Sequence, residues 1–201
     1  MAFTLERPLA STYTRRAACV FKAWLKQPTQ VATIFPSSVF LTERIARRDC
    51  VRSADTVVEL GPGAGGTTLA LLESMKPDAR LLAVEKTPDL ADALAEIEDP
   101  RLTSRLGDAA DLIEILRAHD LTKADVIVSG IPFSSIPRAT AKRISRSIDD
   151  VLTPGGTFIA YQLRDDILHF TRPLFGTPHT QFVMRNLPPL RIFTWTKRLQ
   201  G

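Results

Sequence analysis

Residues 56–68 read TVVELGPGAGGTT, and this stretch decides the fold. A short β-branched segment, 56–60, is followed at once by glycines at positions 61, 63 and 65 and then by a segment with a helical pattern. Glycine permits the positive φ of a tight turn and a close approach of the backbone to a ligand. The helix that follows offers free amide groups at its N-terminus, so the stretch predicts a ligand-binding turn after a buried strand.

Strand-like and helix-like segments alternate on both sides of this turn. We predict strands at 56–60, 80–85, 101–106, 124–130, 157–163, 181–186 and 191–197, with helices at 66–75, 89–97, 110–118 and 137–152. This alternation predicts an α/β fold with a mostly parallel sheet and helices on both faces. Only residues 187–190 join the last two strands, which indicates an antiparallel pair at the sheet edge. We expect residues 164–180 to form a surface loop.

Composition excludes several classes of protein. The chain has 201 residues, of which 44% are hydrophobic and 24% charged, as in folded domains rather than disordered chains. No apolar run reaches the roughly 18 residues of a membrane-spanning helix. The two cysteines cannot build a disulfide framework, and the N-terminus lacks a signal-peptide pattern. We therefore expect an unprocessed cytoplasmic protein.

The net charge of +4 is unevenly distributed. Residues 1–52 carry nine Lys or Arg against three Asp or Glu, a net of +6, and residues 138–201 carry ten against four, again +6. Residues 53–137 carry seven against fifteen, a net of −8. Basic ends suit a polyanionic partner, either nucleic acid or an anionic membrane surface; ordinary solubilising charge is the alternative.

Two carboxylates indicate the ligand of the glycine-rich turn. Glu59 would repel a pyrophosphate and attract a cation, and Glu85 ends the second strand, where an acid can accept both hydroxyls of a ribose. The ligand implied has a ribose, a positive centre and no phosphate, and S-adenosylmethionine fits this description. The alternative for Glu59 is a solvated strand end. Asp108, after the third strand, can accept from an adenine amino group or cap the next helix.

Four segments then resemble a known family. VVELGPGAG (57–65), LLAVE (81–85), GDAAD (107–111) and DVIVSGIPF (125–133) resemble the motifs of class I S-adenosylmethionine-dependent methyltransferases. This resemblance implies a Rossmann-like fold with a seven-stranded sheet and an antiparallel last strand. Together with the residues discussed above, it assigns cofactor binding to Ser37, Ser38, Glu59, Gly61, Pro62, Gly63, Gly65, Glu85, Lys86, Gly107, Asp108, Ala109 and Ser129. Ser37 and Ser38 are also expected to cap the helix that begins near Val39.

A narrower resemblance rests on FKAWLKQPTQVATIFPSS (21–38), SGIPFSSIP (129–137), LTPGGTFIAYQ (152–162) and RNLPPLRIF (185–193). These segments are similar to bacterial phospholipid N-methyltransferases, which methylate the amine of phosphatidylethanolamine. The first two also resemble rRNA adenine dimethylases, which carry asparagine at the position of Gly130. Phospholipid methylation is therefore the function that the resemblance implies. An rRNA adenine N6-methyltransferase and a cofactor-binding module without turnover are the alternatives.

The acceptor site is expected at the end of the fourth strand. The catalytic candidates are Gly130, Ile131, Pro132, Phe133 and Tyr13. Backbone carbonyls of this loop can receive an amine N–H, and the ring of Phe133 can face a cation or pack on the core. Tyr13 is a candidate lid residue. Tyr161, in the fifth strand, can contact the headgroup or pack at the rim.

Residues 14–26 read as a basic amphipathic helix. Phe21 and Trp24 share one face, whereas Arg15, Lys22 and Lys26 lie on another, which suits an anionic membrane surface. Packing of the apolar face on its own domain is the alternative. We expect a membrane-contact or lid segment at 1–52, a methyltransferase domain at 53–201 and a peripheral position on the inner membrane surface. RNA is a less favoured partner, and the three scattered histidines predict no metal site.

Overall fold

A computed structural model describes residues 39–184 and 188–199. The predictions for Tyr13, Ser37, Ser38 and the helix at 14–26 lie outside these residues. The helices are α1 (Val39–Ala46), α2 (Asp49–Ser53), α3 (Gly66–Ser74), α4 (Pro88–Ala95), α5 (Leu112–Ala118), α6 (Arg138–Val151) and α7 (Leu168–Phe175). Short 3-10 turns span Ala109–Asp111 and Phe133–Ser135. The strands are β1 (Thr56–Leu60), β2 (Arg80–Glu85), β3 (Leu102–Leu106), β4 (Ala124–Ser129), β5 (Leu152–Gln162), β6 (His179–Val183) and β7 (Leu190–Thr196).

The seven strands form one sheet in the order β3-β2-β1-β4-β5-β7-β6. Strands β1 to β5 pair in parallel, and β7 pairs antiparallel with both β5 and β6. The predicted Rossmann-like fold with an antiparallel last strand is confirmed. The strand order reverses between β1 and β4, and open α/β sheets bind ligands at the carboxyl ends of the strands at such a point.

Helices cover both faces of the sheet. On one face, Leu41 and Ile45 of α1 are fully buried in the same cluster as Leu71 of α3 and Val57 of β1. On the other, α6 buries its apolar side, and Phe158 stacks on Trp195 with ring centroids 5.1 Å apart. Such ring pairs contribute about 0.5–1.5 kcal/mol beyond their burial. A rigid two-sided core therefore holds the carboxyl ends of the strands in place.

Helix α1 packs into this core, although the sequence groups it with the N-terminal segment. The division of the chain at residue 52 stays a prediction. No helix among residues 39–184 and 188–199 is long and apolar enough to cross a membrane.

Two expectations about local structure are wrong. Residues 164–180 were expected to form a loop, but they contain α7, because Ile167, Thr171 and Phe175 recur every fourth residue and are buried. The helix tolerates Pro173 and ends at Gly176, whose φ is 76°. Strand β5 begins at Leu152 rather than at 157, since it pairs with β4 on both sides of a register shift that accommodates Pro154 and the two glycines.

Candidate cofactor and acceptor site

The glycine-rich turn joins β1 to α3 at the centre of the sheet. Gly61, Gly63 and Gly65 have φ angles of 68°, 61° and 79°, so the predicted positive φ values are confirmed. At Gly65, a Cβ would also lie 2.8 Å from Cδ1 of Ile97. Gly65 stands directly before the first residue of α3, so the amides of the first helical turn open towards the carboxyl ends of the strands.

Glu59 lies on β1, two residues before the turn, and its side chain is fully buried. The alternative of a solvated strand end is therefore wrong. Oε2 accepts a hydrogen bond from Oγ1 of Thr68 at 2.7 Å, whereas Oε1 has no hydrogen-bond partner among the described residues. Burial raises the pKa of Glu59 to about 8; the Thr68 hydrogen bond opposes this effect and the charge of Glu85 adds to it.

A buried acceptor without a partner costs free energy unless a ligand supplies a donor. S-adenosylmethionine carries a sulfonium and an α-ammonium, and either positive group would favour the ionised form of this carboxyl. The residues around Glu59 thus fit that cofactor.

Glu85 ends β2 beside the turn and is 6% exposed. Its Oε2 accepts from the amide of Gly63 at 3.0 Å, and its Oε1 accepts from the amides of Lys86 and Thr87, both at 2.9 Å. The carboxylate therefore fixes both the turn and the start of the β2–α4 connection. A carboxylate has about four acceptor positions, and three of them are used here, so capacity remains for a ribose hydroxyl.

Asp108 follows β3 and uses both of its oxygens. Oδ1 accepts from the amide of Ala110 at 2.9 Å, which confirms the capping alternative, and Oδ2 accepts from Nζ of Lys86 at 2.7 Å. Burial alone would raise the pKa of Asp108, but these two hydrogen bonds and the charges of Lys86 and Arg143 bring it below its usual value. The ionised carboxylate stands at the carboxyl edge, where a contact to adenine stays a prediction.

The remaining cofactor candidates lie along the same edge. Pro62 and Ala109 are buried, Lys86 is exposed, and the amide of Gly107 donates to the carbonyl of Glu85 at 2.8 Å. Ser129, the last residue of β4, is fully buried and its Oγ accepts from the amide of Ile131 at 3.3 Å.

The acceptor loop, residues 129–133, leaves β4 and turns into a short 3-10 helix. Gln162 at the end of β5 holds it: Nε2 donates to the carbonyl of Ile131 at 2.7 Å, and Oε1 accepts from the amide of Phe133 at 3.3 Å. Gln162 is 5% exposed. The sequence reasoning assigned no role to Gln162 or Thr68. Both end segments quoted above, but the partners of their side chains lie elsewhere in the chain.

Phe133 packs on the core rather than standing open to the acceptor. Its side chain is 2% exposed, and its ring centroid is 6.2 Å from that of Phe170. This is the core-packing alternative of the sequence reasoning, and the expectation that the ring faces an ammonium is not supported. Ile131 and Pro132 remain half-buried at the edge.

Register places three residues of the edge in a row. Leu60 pairs with Ser129, and Ser129 pairs with Ala160, so the next residues, Gly61, Gly130 and Tyr161, stand side by side. A Cβ at Gly130 would lie 2.3 Å from Oη of Tyr161 and 2.7 Å from the carbonyl oxygen of Gly61. Position 130 therefore has no room for any side chain.

Known proteins similar to this chain agree with the site. A comparison with models of known protein families finds no match. The chain is 34% identical over 169 residues to the ornithine lipid N-methyltransferase of Singulisphaera acidiphila, which covers 83% of this chain and 88% of that protein. It is 40% identical over 96 residues to the ribosomal RNA small subunit methyltransferase A of Phenylobacterium zucineum, over 47% of this chain and 32% of that protein.

Among solved structures, TrmN from Thermus thermophilus superposes with a TM-score of 0.62 at 18% identity, over 96% of this chain and 54% of that one. A likeness at this identity concerns the fold alone. The match to the S. acidiphila enzyme, by contrast, spans most of both chains. The chain therefore belongs to the class I S-adenosylmethionine-dependent N-methyltransferases, in the family that includes that enzyme.

Proposed function

We propose that this enzyme methylates the amine of a phospholipid headgroup, that of phosphatidylethanolamine. The observation that carries the proposal is the closed space at Gly130, where Tyr161 and the Gly61 carbonyl leave no room for a side chain. The rRNA adenine dimethylases that this loop resembles carry asparagine there, and a side-chain amide can hold an adenine amino group. A small aliphatic amine needs only backbone carbonyls and a hydroxyl. The lipid substrate of the S. acidiphila relative adds support.

The edge residues divide the work between donor and acceptor. When bound, S-adenosylmethionine supplies a methyl group on a positively charged sulfur, which an amine lone pair can displace directly. Glu59 would face the positive end of this cofactor, Glu85 its ribose and Asp108 its adenine. The acceptor loop would border an unprotonated amine, whose N–H groups are received by oxygen atoms of this edge, and hold the nitrogen in line with the methyl, at roughly 3–3.5 Å.

The loop itself is rigid enough for this task. Gln162 ties both a carbonyl and an amide of the loop, and Ser129 ties a third backbone group. Fixed dipoles that need no reorganisation stabilise a charge that develops on the amine better than water does. Exclusion of water also favours the unprotonated amine, because burial disfavours the charged form.

We propose an anionic membrane as the partner that presents the lipid, and hence a peripheral location. The predicted basic helix at 14–26 would bind it. The first described helix has the same combination of exposed apolar and basic residues. Val39 and Phe40, at the start of α1, are 60% and 47% exposed, and Arg44 and Arg47 follow on the same helix. Each basic residue close to an anionic surface contributes about 1 kcal/mol.

One experiment separates lipid from RNA. The purified protein is incubated with methyl-labelled S-adenosylmethionine and, in separate tubes, vesicles of phosphatidylethanolamine with phosphatidylglycerol, vesicles of ornithine lipid with phosphatidylglycerol, or ribosomal RNA. We expect label in phosphatidylethanolamine, and less of it as salt screens the membrane charge. Label in ornithine lipid alone would correct the headgroup, and label in RNA alone would overturn the proposal.

Vesicle flotation tests the membrane partner. A Phe21→Ala, Trp24→Ala double variant should lose binding to the anionic vesicles. Phe182→Ala, which removes a 58% exposed aromatic ring from the edge strand β6, is the matched control and should retain binding. Equal binding by both variants would contradict the role of the N-terminal helix.

A further inference from the structure

The hydroxyl of Tyr161 and the carbonyl of Gly61 converge on one point of the carboxyl edge. Both oxygens lie within 2.7 Å of the position that a Cβ of Gly130 would occupy. The pairings of Leu60 with Ser129 and of Ser129 with Ala160 fix the backbones of Gly61, Gly130 and Tyr161 in one row. Glycine at 130 thus leaves room for two oxygen atoms that the Cβ of any other residue would displace.

From this geometry we propose that Tyr161 Oη and the Gly61 carbonyl oxygen accept hydrogen bonds from the N–H groups of the substrate amine. The inference rests on the proposed function and identifies its acceptor contacts. A carbonyl oxygen accepts N–H groups, and a phenolic oxygen keeps acceptor capacity even while its own hydrogen is donated elsewhere. Two acceptors match the two N–H groups that a neutral primary amine carries, with its lone pair left for the methyl.

Tyr161 is well placed to be held in this position. It is half-buried at the end of β5, packs against the core cluster on the α1 side of the sheet and stands opposite Ile192 of β7. Gln162, the next residue, projects to the other face and ties the acceptor loop. Successive residues of one strand therefore hold the acceptor and its loop from the two sides of the sheet.

The number of N–H groups on the acceptor gives the inference a specific signature. A neutral primary amine offers two, a monomethylated amine one and a dimethylated amine none. Removal of the Tyr161 hydroxyl leaves an N–H of the primary amine without its acceptor, whereas the single N–H of the monomethyl lipid can still reach the Gly61 carbonyl. The dimethyl lipid has no N–H group, so it loses no hydrogen bond.

The test compares Tyr161→Phe with the wild type on vesicles of phosphatidylethanolamine and of its monomethyl and dimethyl derivatives. We expect kcat/KM to fall about tenfold or more on the first lipid, since a hydrogen bond to a group that becomes charged is lost, less on the second and not at all on the third. Calorimetry should give unchanged affinity for S-adenosylmethionine. Thr171→Val, which removes a buried hydroxyl of α7 that bonds Ile167, is the control and should affect all lipids equally, if at all.

A fall by the same factor on every accepted lipid, or no fall, would overturn the role of Tyr161 while leaving phospholipid methylation intact. Absence of label from every lipid with the wild-type enzyme would instead overturn the proposed function and this inference with it. The melting temperature of each variant separates loss of fold from loss of contact.

Discussion

Replacement of Glu59 by glutamine should remove a pH dependence from cofactor binding. Burial raises the pKa of this carboxyl to about 8, so at neutral pH most of it is protonated while no cation is near. A cationic ligand beside Oε1 binds the carboxylate better than the acid, and its binding therefore releases a proton. The affinity of the wild type for S-adenosylmethionine should rise with pH until the carboxyl is ionised without help.

The size of the effect follows from the titration. With a pKa of about 8, the ionised fraction of Glu59 rises from about 1% at pH 6 to about 50% at pH 8, so the affinity should rise up to ~50-fold. Glutamine has no charge to regulate. The α-ammonium of the ligand titrates near pH 8 in both proteins, so the ratio of the two dissociation constants isolates Glu59.

Isothermal titration calorimetry in two buffers of different ionisation enthalpy measures the proton directly. At pH 7 we expect the wild type to release close to one proton on binding and Glu59→Gln to release none. The raised pKa of Glu59 should also make the stability of the unliganded wild type depend on pH. Below pH 4.5 Glu59 is protonated in both states; between 4.5 and about 8 only the unfolded state ionises, so wild-type stability should fall with rising pH relative to the variant. Identical pH slopes for the two proteins would refute the reasoning.

Three further variants test the rest of the edge. Gln162→Met keeps the shape of the side chain but leaves the carbonyl of Ile131 and the amide of Phe133 without their hydrogen-bond partner. It should lower the free energy of unfolding, measured in urea, by about 1–3 kcal/mol. It should also reduce turnover and leave the affinity for the cofactor unchanged. Gly130→Ala brings a Cβ to 2.7 Å from the Gly61 carbonyl and should lower both melting temperature and turnover, whereas a Cβ at Gly66 meets nothing within 4 Å and Gly66→Ala should melt as the wild type does. Glu85→Ala leaves three amides without an acceptor and should weaken cofactor binding at least about tenfold by calorimetry; wild-type affinity would contradict its role.

The donor half of the site could be predicted from sequence because its signals are local. Three glycines after a β-branched strand determine the turn, and Glu85 ends a strand whose length is readable from its apolar run. The N-cap role of Asp108 is likewise local, since it depends on an amide two residues away. Patterns of this kind can be recognised without knowing which distant residues pack against them.

The acceptor half depends on contacts between distant segments. Gln162 lies 31 residues from Ile131, and its role follows from the pairing of β5 with β4 and from the alternation of side chains along β5. No motif marks it. Helix α7 was missed for a related reason: Pro173 and Gly176 are breakers in isolation, but burial of Thr171 and Phe175 outweighs their propensity.

Gly61 contacts both the strand beside the cofactor turn and the start of the acceptor loop. Its amide donates to the carbonyl of Val84 at 2.9 Å, which fixes the cofactor turn to β2, while its carbonyl lies against Gly130, where we propose that it accepts from the amine. Because adjacent strands lie about 4.8 Å apart, a row of residues across three paired strands would, on the proposed site, set the separation of donor and acceptor without a flexible element between them. A methyl group added in this row should shift both the cofactor and the amine, and direct methyl transfer tolerates little misplacement. We therefore expect the glycines at 61 and 130 to be needed for the reaction as well as for the fold.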